Sequence, residues 1–145
     1  MRVVVAFGVL ASLLSASPAF AGDLTVKVTG VKAKGGHLLV AVYDKATLFR
    51  AKPPFAGEAK ASAAGDMTVT IKDVAAGDYV VSVLHDADDD KKMTMTDGRF
   101  GEGTALTNAE QLRGPPSFEV NKIAIPASGT VVTIAMSYPE DRSGW

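Results

Sequence analysis

Carboxylates crowd one stretch of the chain. Asp86-Ala87-Asp88-Asp89-Asp90-Lys91-Lys92-Met93-Thr94-Met95-Thr96-Asp97 places aspartates at relative positions 1, 3, 5 and 12, directly after an apolar run. That is the spacing with which an EF-hand-type loop wraps a calcium ion and closes on a carboxylate at position 12. In that arrangement Asp86, Asp88 and Asp90 supply side-chain oxygens, Lys92 its backbone carbonyl and Asp97 the closing carboxylate. Calcium is a hard cation that takes about six to eight oxygens, which such a set begins to provide. Met93, at position 8, is the apolar side chain that such a loop can bury. Five aspartates within twelve residues would repel one another without a counter-charge.

Other features of the loop work against tight binding. Position 6 calls for glycine, because the chain turns sharply there, and a lysine held left-handed costs on the order of 1 kcal/mol. Here that residue is Lys91, and Asp97 is shorter than the usual bidentate glutamate. Lys91 and Lys92 also neutralise part of the charge. Three readings stay open. The loop is a calcium site of the weak extracellular kind, roughly 10⁻⁴–10⁻³ M. It is a site for another metal. Or it is a solvated connection whose aspartates cap their own backbone in Asx-turns.

Few other residues carry chemistry. Glu102 sits between Gly101 and Gly103, a frame that lets it reach back to the acidic loop or line a pocket; the simpler expectation is a hydrogen bond to nearby backbone amides. His85 abuts the loop, but one imidazole beside aspartates is no zinc site, which needs three or four nitrogen or sulfur ligands. It is expected at a strand end, bonded to Asp86 or to backbone, and His37 is expected at the surface. Asp86 and Glu102 could pair for glycoside hydrolysis, but no aromatic-lined groove is evident. Nor is there a cysteine nucleophile, a Gly-x-Ser-x-Gly elbow or a His-Glu-x-x-His helix. A non-enzymatic protein is therefore expected.

The elements that must position these residues read as strands. Leu24–Thr29 and Met67–Val74 alternate in period two. His37–Tyr43, Tyr79–Leu84, Phe118–Ile125 and Thr130–Tyr138 are further strands, the last two expected to pair across Pro126–Gly129. Glu58–Ala63 is a candidate edge strand. One helical turn fits Lys45–Arg50, and two fit Ala105–Leu112. Six or seven short strands with glycine and proline turns predict an all-β fold, a single antiparallel β-sandwich of transthyretin or immunoglobulin type. Its long loops, Asp44 to about Gly57 and Asp86 to Ser117, exceed ordinary hairpin connections and are where function is expected.

The first residues predict a compartment. Arg2, an apolar run from Val3 to Leu14 and Ala19-Phe20-Ala21 form the three regions of a secretory signal peptide over residues 1–21. That apolar run is short for a membrane span. Cleavage would leave 124 of the 145 residues: one domain over 22–138 and a polar, frayed tail over 139–145. Arg2 is one of 15 basic residues against 16 acidic ones, so the remaining charge is −2, without the basic stripe of a nucleic-acid binder. No cysteine is present, so packing, and a metal if one binds, must hold the domain.

Gly35-Gly36-His37-Leu38 leading into Val40-Ala41-Val42-Tyr43, with Phe49 after it, is one recognisable block. Gly77-Asp78-Tyr79-Val80 leading into Leu84-His85-Asp86 is another, followed by Gly98, Glu102-Gly103, Asn108 and Gly114-Pro115-Pro116-Ser117-Phe118. Together they resemble the secreted bacterial proteins grouped as DUF2141. The resemblance implies a periplasmic or extracellular β-sandwich similar to transthyretin-like or carboxypeptidase-regulatory-like modules, and implies no activity. In that family the loop carries Asn/Asp-Gly alternation; here Lys91 stands where the glycine is usual and Thr94 where an acidic residue is. The expected role is binding or structural, toward an envelope protein or a carbohydrate. A metal-free interaction module acting through the long loops is the alternative, and a small hydrolase a more distant one.

Overall fold

Alternating apolar side chains build two sheets that face one another. The computed structural model describes residues 21–142. Along the chain the strands are β1 (Ala21–Val31), β2 (His37–Tyr43), β3 (Phe55–Lys60), β4 (Gly65–Ala75), β5 (Gly77–Asp86), β6 (Met95–Thr96), β7 (Arg99–Phe100), β8 (Gly103–Leu106), β9 (Ile123–Ile125) and β10 (Thr130–Ala135). One sheet has the order β10-β1-β4. The other has the order β3-β2-β5-β8, with β9 pairing the start of β5. The result is a sandwich-like all-β domain. Leu24, Val26 and Val28 of β1 close on Leu38, Val40 and Val42 of β2 and on Val81 and Val83 of β5, all 2 % exposed or less. Each such side chain stabilises the fold by about 1.5–3 kcal/mol.

The two sheets differ from the expected pattern at their ends. Phe118–Ile125 is not one strand. The Ser117 hydroxyl accepts a hydrogen bond from Val120 N, capping a helical turn, α1, over Phe118–Asn121. Asn121 is buried there, donating to Thr107 O while its Oδ1 accepts from Ser117 N. Only Ile123–Ile125 is extended, and it pairs with β5 rather than with the next strand. The turn at Pro126–Gly129 carries the chain across to the other sheet, where β10 runs parallel to β1. The predicted helix at Ala105–Leu112 reduces to a 3-10 turn at Ala109–Gln111, because Gly103–Leu106 extends along β5 instead. β2 spans His37–Tyr43 as expected, and an edge strand is present as β3, lying three residues earlier than the expected Glu58–Ala63.

At Asp44 the chain leaves the sheet through a turn in which Oδ1 accepts from the Ala46 and Thr47 amides. Pro139–Arg142, expected in the frayed tail, is a 3-10 turn docked by Lys32, which bonds Glu140 and Asp141 at 3.2 and 2.7 Å. The predicted signal peptide lies outside the described residues except for Ala21, the first residue of β1. No helix among the described residues is long and apolar enough to cross a membrane.

Candidate functional site

Strand β5 ends in His85 and Asp86, and alternation sends them to opposite faces. His85 points inward with Val81 and Val83. It is opposite Leu38 on one side and Gly103 on the other. Its Nε2 lies 2.7 Å from Gly35 O, which can only accept, so Nε2 carries the ring proton. Nδ1 then accepts from the Tyr138 hydroxyl at 2.7 Å, and the same oxygen accepts from Lys32 N at 2.9 Å. Every polar atom of this buried triad is used. Gly103 makes room for it, since a Cβ there would stand 2.3 Å from the Tyr138 ring.

Asp86 points to the outer face with Ser82 and Leu84, yet it is fully buried beneath the loop that follows it. Its Oδ1 accepts from Asp90 N at 3.1 Å and its Oδ2 from Lys91 N at 3.0 Å. Those bonds wrap the chain tightly around the carboxylate. The wrap holds Asp89 and Lys91 at φ 59° each, in the left-handed region. The strain foreseen for a lysine at position 6 is therefore present. Gly36, at φ 67°, packs so closely on the Asp86 carbonyl that a Cβ would sit 1.9 Å from it.

Asp88 and Glu102 complete the cluster. One carboxylate oxygen from each of Asp86, Asp88 and Glu102 lies within 4.8 Å of the others. Glu102 is buried, and its Oε2 accepts from Thr94 N at 3.2 Å. It thus satisfies both possibilities raised for it: it binds a backbone amide and it reaches back to the loop. Partial dehydration pushes the Asp88 carboxyl above its usual range, opposed by the Asp90 amide and assisted by the Asp90 and Asp86 carboxylates. Among the described residues no ion pair involves Asp86, Asp88 or Glu102. The nearest loop cation, Lys91, bonds Glu58 at 2.6 Å instead.

Neither the Asp90 nor the Asp97 carboxylate joins this group, although the Asp90 amide bonds Asp86 and Asp88. Asp90 Oδ1 accepts from Lys92 N at 2.8 Å, an Asx-turn of the kind expected for a metal-free connection. Asp97 and Gly98, at φ 51° and 74°, form the two-residue turn joining β6 to β7. Both central angles are positive, the conformation of a type I′ hairpin, for which Asp-Gly is among the preferred pairs. This hairpin, overlooked in the loop, turns the chain back, so that Glu102 rather than Asp97 meets Asp86 and Asp88. His37 is half-buried, and its Nδ1 lies 2.6 Å from Asp89 Oδ1.

Three converging carboxylate oxygens with backbone amides holding their other lone pairs can receive a hard cation. Water and loop carbonyls would fill the remaining positions, as in other oxygen-rich sites. The family model described as "Uncharacterized protein conserved in bacteria (DUF2141)" matches residues 26–134. No curated protein and no solved structure matches the chain.

Proposed function

The chain belongs to the DUF2141 family of bacterial proteins, and from that premise we propose a non-enzymatic β-sandwich module whose 86–102 loop is organised by calcium. One observation carries the reading: Asp86 and Glu102, both buried, converge with Asp88, and among the described residues no ion pair joins the three to a cation, since Lys91, whose charge Asp86 feels, is bonded to Glu58. Like charges at this spacing in a partly dry site repel strongly, and a divalent cation offsets that repulsion. The proposed ligands are the Asp86, Asp88 and Glu102 carboxylates. The affinity belongs to the weak range, roughly 10⁻⁴–10⁻³ M, because Lys91 is strained and few protein oxygens converge.

The non-enzymatic part rests on how the polar side chains are spent. Both ring nitrogens of His85 are committed to Gly35 and Tyr138, and His37 is paired with Asp89. Asp86 and Glu102 line neither of the two clefts on the outer face, so as a carboxylate pair they do not front a substrate groove there. The sequence pattern of residues 1–21 supports a periplasmic or extracellular site of action, where millimolar calcium is a plausible partner. A metal-free interaction module is the second reading, favoured by the two amides that already hold Asp86.

Amide NMR during a calcium titration separates the two. The Asp90, Lys91 and Thr94 amides, bonded to the cluster, are expected to shift saturably with calcium and far less with magnesium. No saturable shift, or the same shift after Asp86→Ala with Asp88→Ala, overturns the calcium reading.

A further inference from the structure

On the outer face of the second sheet lies a cleft of about 580 Å³ that the cation reading leaves unused. Leu106 of β8 forms its floor beside Ser82 of β5. Phe49, Met93, Phe100 and Leu112 wall it, and Arg142 stands at its rim. That volume is in the range of small-molecule sites, which pair apolar walls with a few placed polar groups.

Two observations make this more than a dent in the surface. Phe49, Met93 and Phe100 are 54 %, 44 % and 41 % exposed, a concentration of large apolar side chains around one opening. Phe49 is also held at φ 53°, a left-handed conformation that is a genuine outlier for a bulky residue. Strain of that kind persists where surrounding structure imposes it, and it gathers at ligand clamps. Here the imposing structure is the capped turn at Asp44–Thr47 and the Tyr43 ring, 5.5 Å from the Phe49 ring.

Arg142 sets the polarity of the ligand. Among the described residues it is the only charged one lining the cleft. Its Nε donates to Ser137 Oγ at 3.1 Å and its Nη2 to Ser137 O at 3.1 Å, so the guanidinium is positioned rather than floating. No ion pair among the described residues takes up its charge. A guanidinium beside apolar walls complements a carboxylate-type head on an apolar body.

We propose that the cleft over Leu106 binds a soluble, single-chain amphiphile with an anionic head, its chain between Phe49, Met93 and Phe100 and its head on Arg142. The probe is dodecanoate, titrated calorimetrically into the chelated full chain, so that no calcium salt of the probe forms, with near-ultraviolet circular dichroism checking that the loop carrying Met93 and Phe100 keeps its packing without the cation. Saturable one-to-one binding is expected, with dodecyltrimethylammonium binding at least about ten-fold more weakly. Arg142→Gln is expected to weaken dodecanoate by about ten-fold. Leu106→Glu is expected to abolish binding, and Phe49→Gly, which removes a wall while relieving backbone strain, to weaken it without unfolding the protein. Circular dichroism checks each fold. No saturable binding, or equal affinity for the cationic amphiphile, overturns the proposal. So does a concentration-dependent dimer that Leu106→Glu dissociates and dodecanoate does not compete with, since a second copy would then occupy the cleft.

Discussion

His85 and Asp86 are neighbours in sequence and almost equally buried, yet they belong to opposite kinds of polar cluster. The His85–Tyr138–Gly35 triad is closed and complete: each donor meets an acceptor within the protein. The Asp86–Asp88–Glu102 cluster is also hydrogen-bonded, to backbone amides and between the Asp86 and Asp88 carboxyls, and it gathers three acidic groups. The first joins the segment after β10 to the segment after β1, since Tyr138 follows one and Lys32 the other. One step of the period-two alternation separates a closed polar triad from a cluster of carboxylates.

The comparison breaks most visibly at the triad. His85→Ala leaves a cavity and strips the Tyr138 hydroxyl of its acceptor, so a loss of about 3 kcal/mol is expected. That is a fall in melting temperature of roughly 10 °C for a domain of this size. The fall should be the same with calcium and without it, as calorimetry in both conditions would show.

At the carboxylate cluster the sign should depend on the cation. Glu102→Gln keeps an acceptor for Thr94 N but removes one buried charge. In chelator the variant is expected to match the parent or exceed it by up to about 1 kcal/mol, and in calcium to lose most of the parent's gain of about 1.4 kcal/mol. Urea unfolding in the two conditions measures both.

Lys91→Gly sharpens the same comparison. It relieves a left-handed lysine and gives up an exposed ion pair with Glu58 together with a weaker attraction to Asp86 and Asp89. A net gain of about 0.5–1 kcal/mol and tighter calcium binding are expected. Unchanged stability in a denaturant titration would mean that the wrap around Asp86 is not strained.

The smallest effect lies outside both clusters. Lys45 and Lys122 hold the Glu119 carboxyl down to about 2, and Lys34 holds Glu140 there as well. Depressed carboxylates stabilise the fold above their unfolded range, and that contribution fades as pH falls from about 4.5 toward 2. Asp88, raised in the folded protein, works the other way in the absence of metal, gaining stability as it protonates. Acid unfolding at low and high salt should show a small loss over this window that salt diminishes.

Much of the frame was legible because it follows from burial alone. In β2, Leu38, Val40 and Val42 alternate with less buried neighbours, and the strand's bounds follow from that pattern. What was not legible depends on partners far away in sequence. Nothing in Thr130–Ala135 by itself says that it will lie parallel to β1, and nothing near Ser117 outweighs the apolar residues that suggested a strand there. The site was half legible. Asp86 and Asp88 come from local spacing, and the strain at Lys91 from turn geometry. Asp97 was expected to close the loop, but the Asp97-Gly98 pair forms a hairpin turn, and the structure brings Glu102 rather than Asp97 to Asp86 and Asp88. Once that turn is recognised, Glu102 is the next acidic residue that can return to the loop.

The most direct measurement of the central claim is the melting temperature of the chelated protein with and without about 10 mM calcium, against magnesium and ionic-strength-matched sodium chloride. For a dissociation constant near 1 mM, the account predicts a calcium-specific rise of roughly 5 °C, or about 1.4 kcal/mol. A change no larger than that produced by the salt control would contradict it, and would leave Asp86, Asp88 and Glu102 as a cluster held by hydrogen bonds alone.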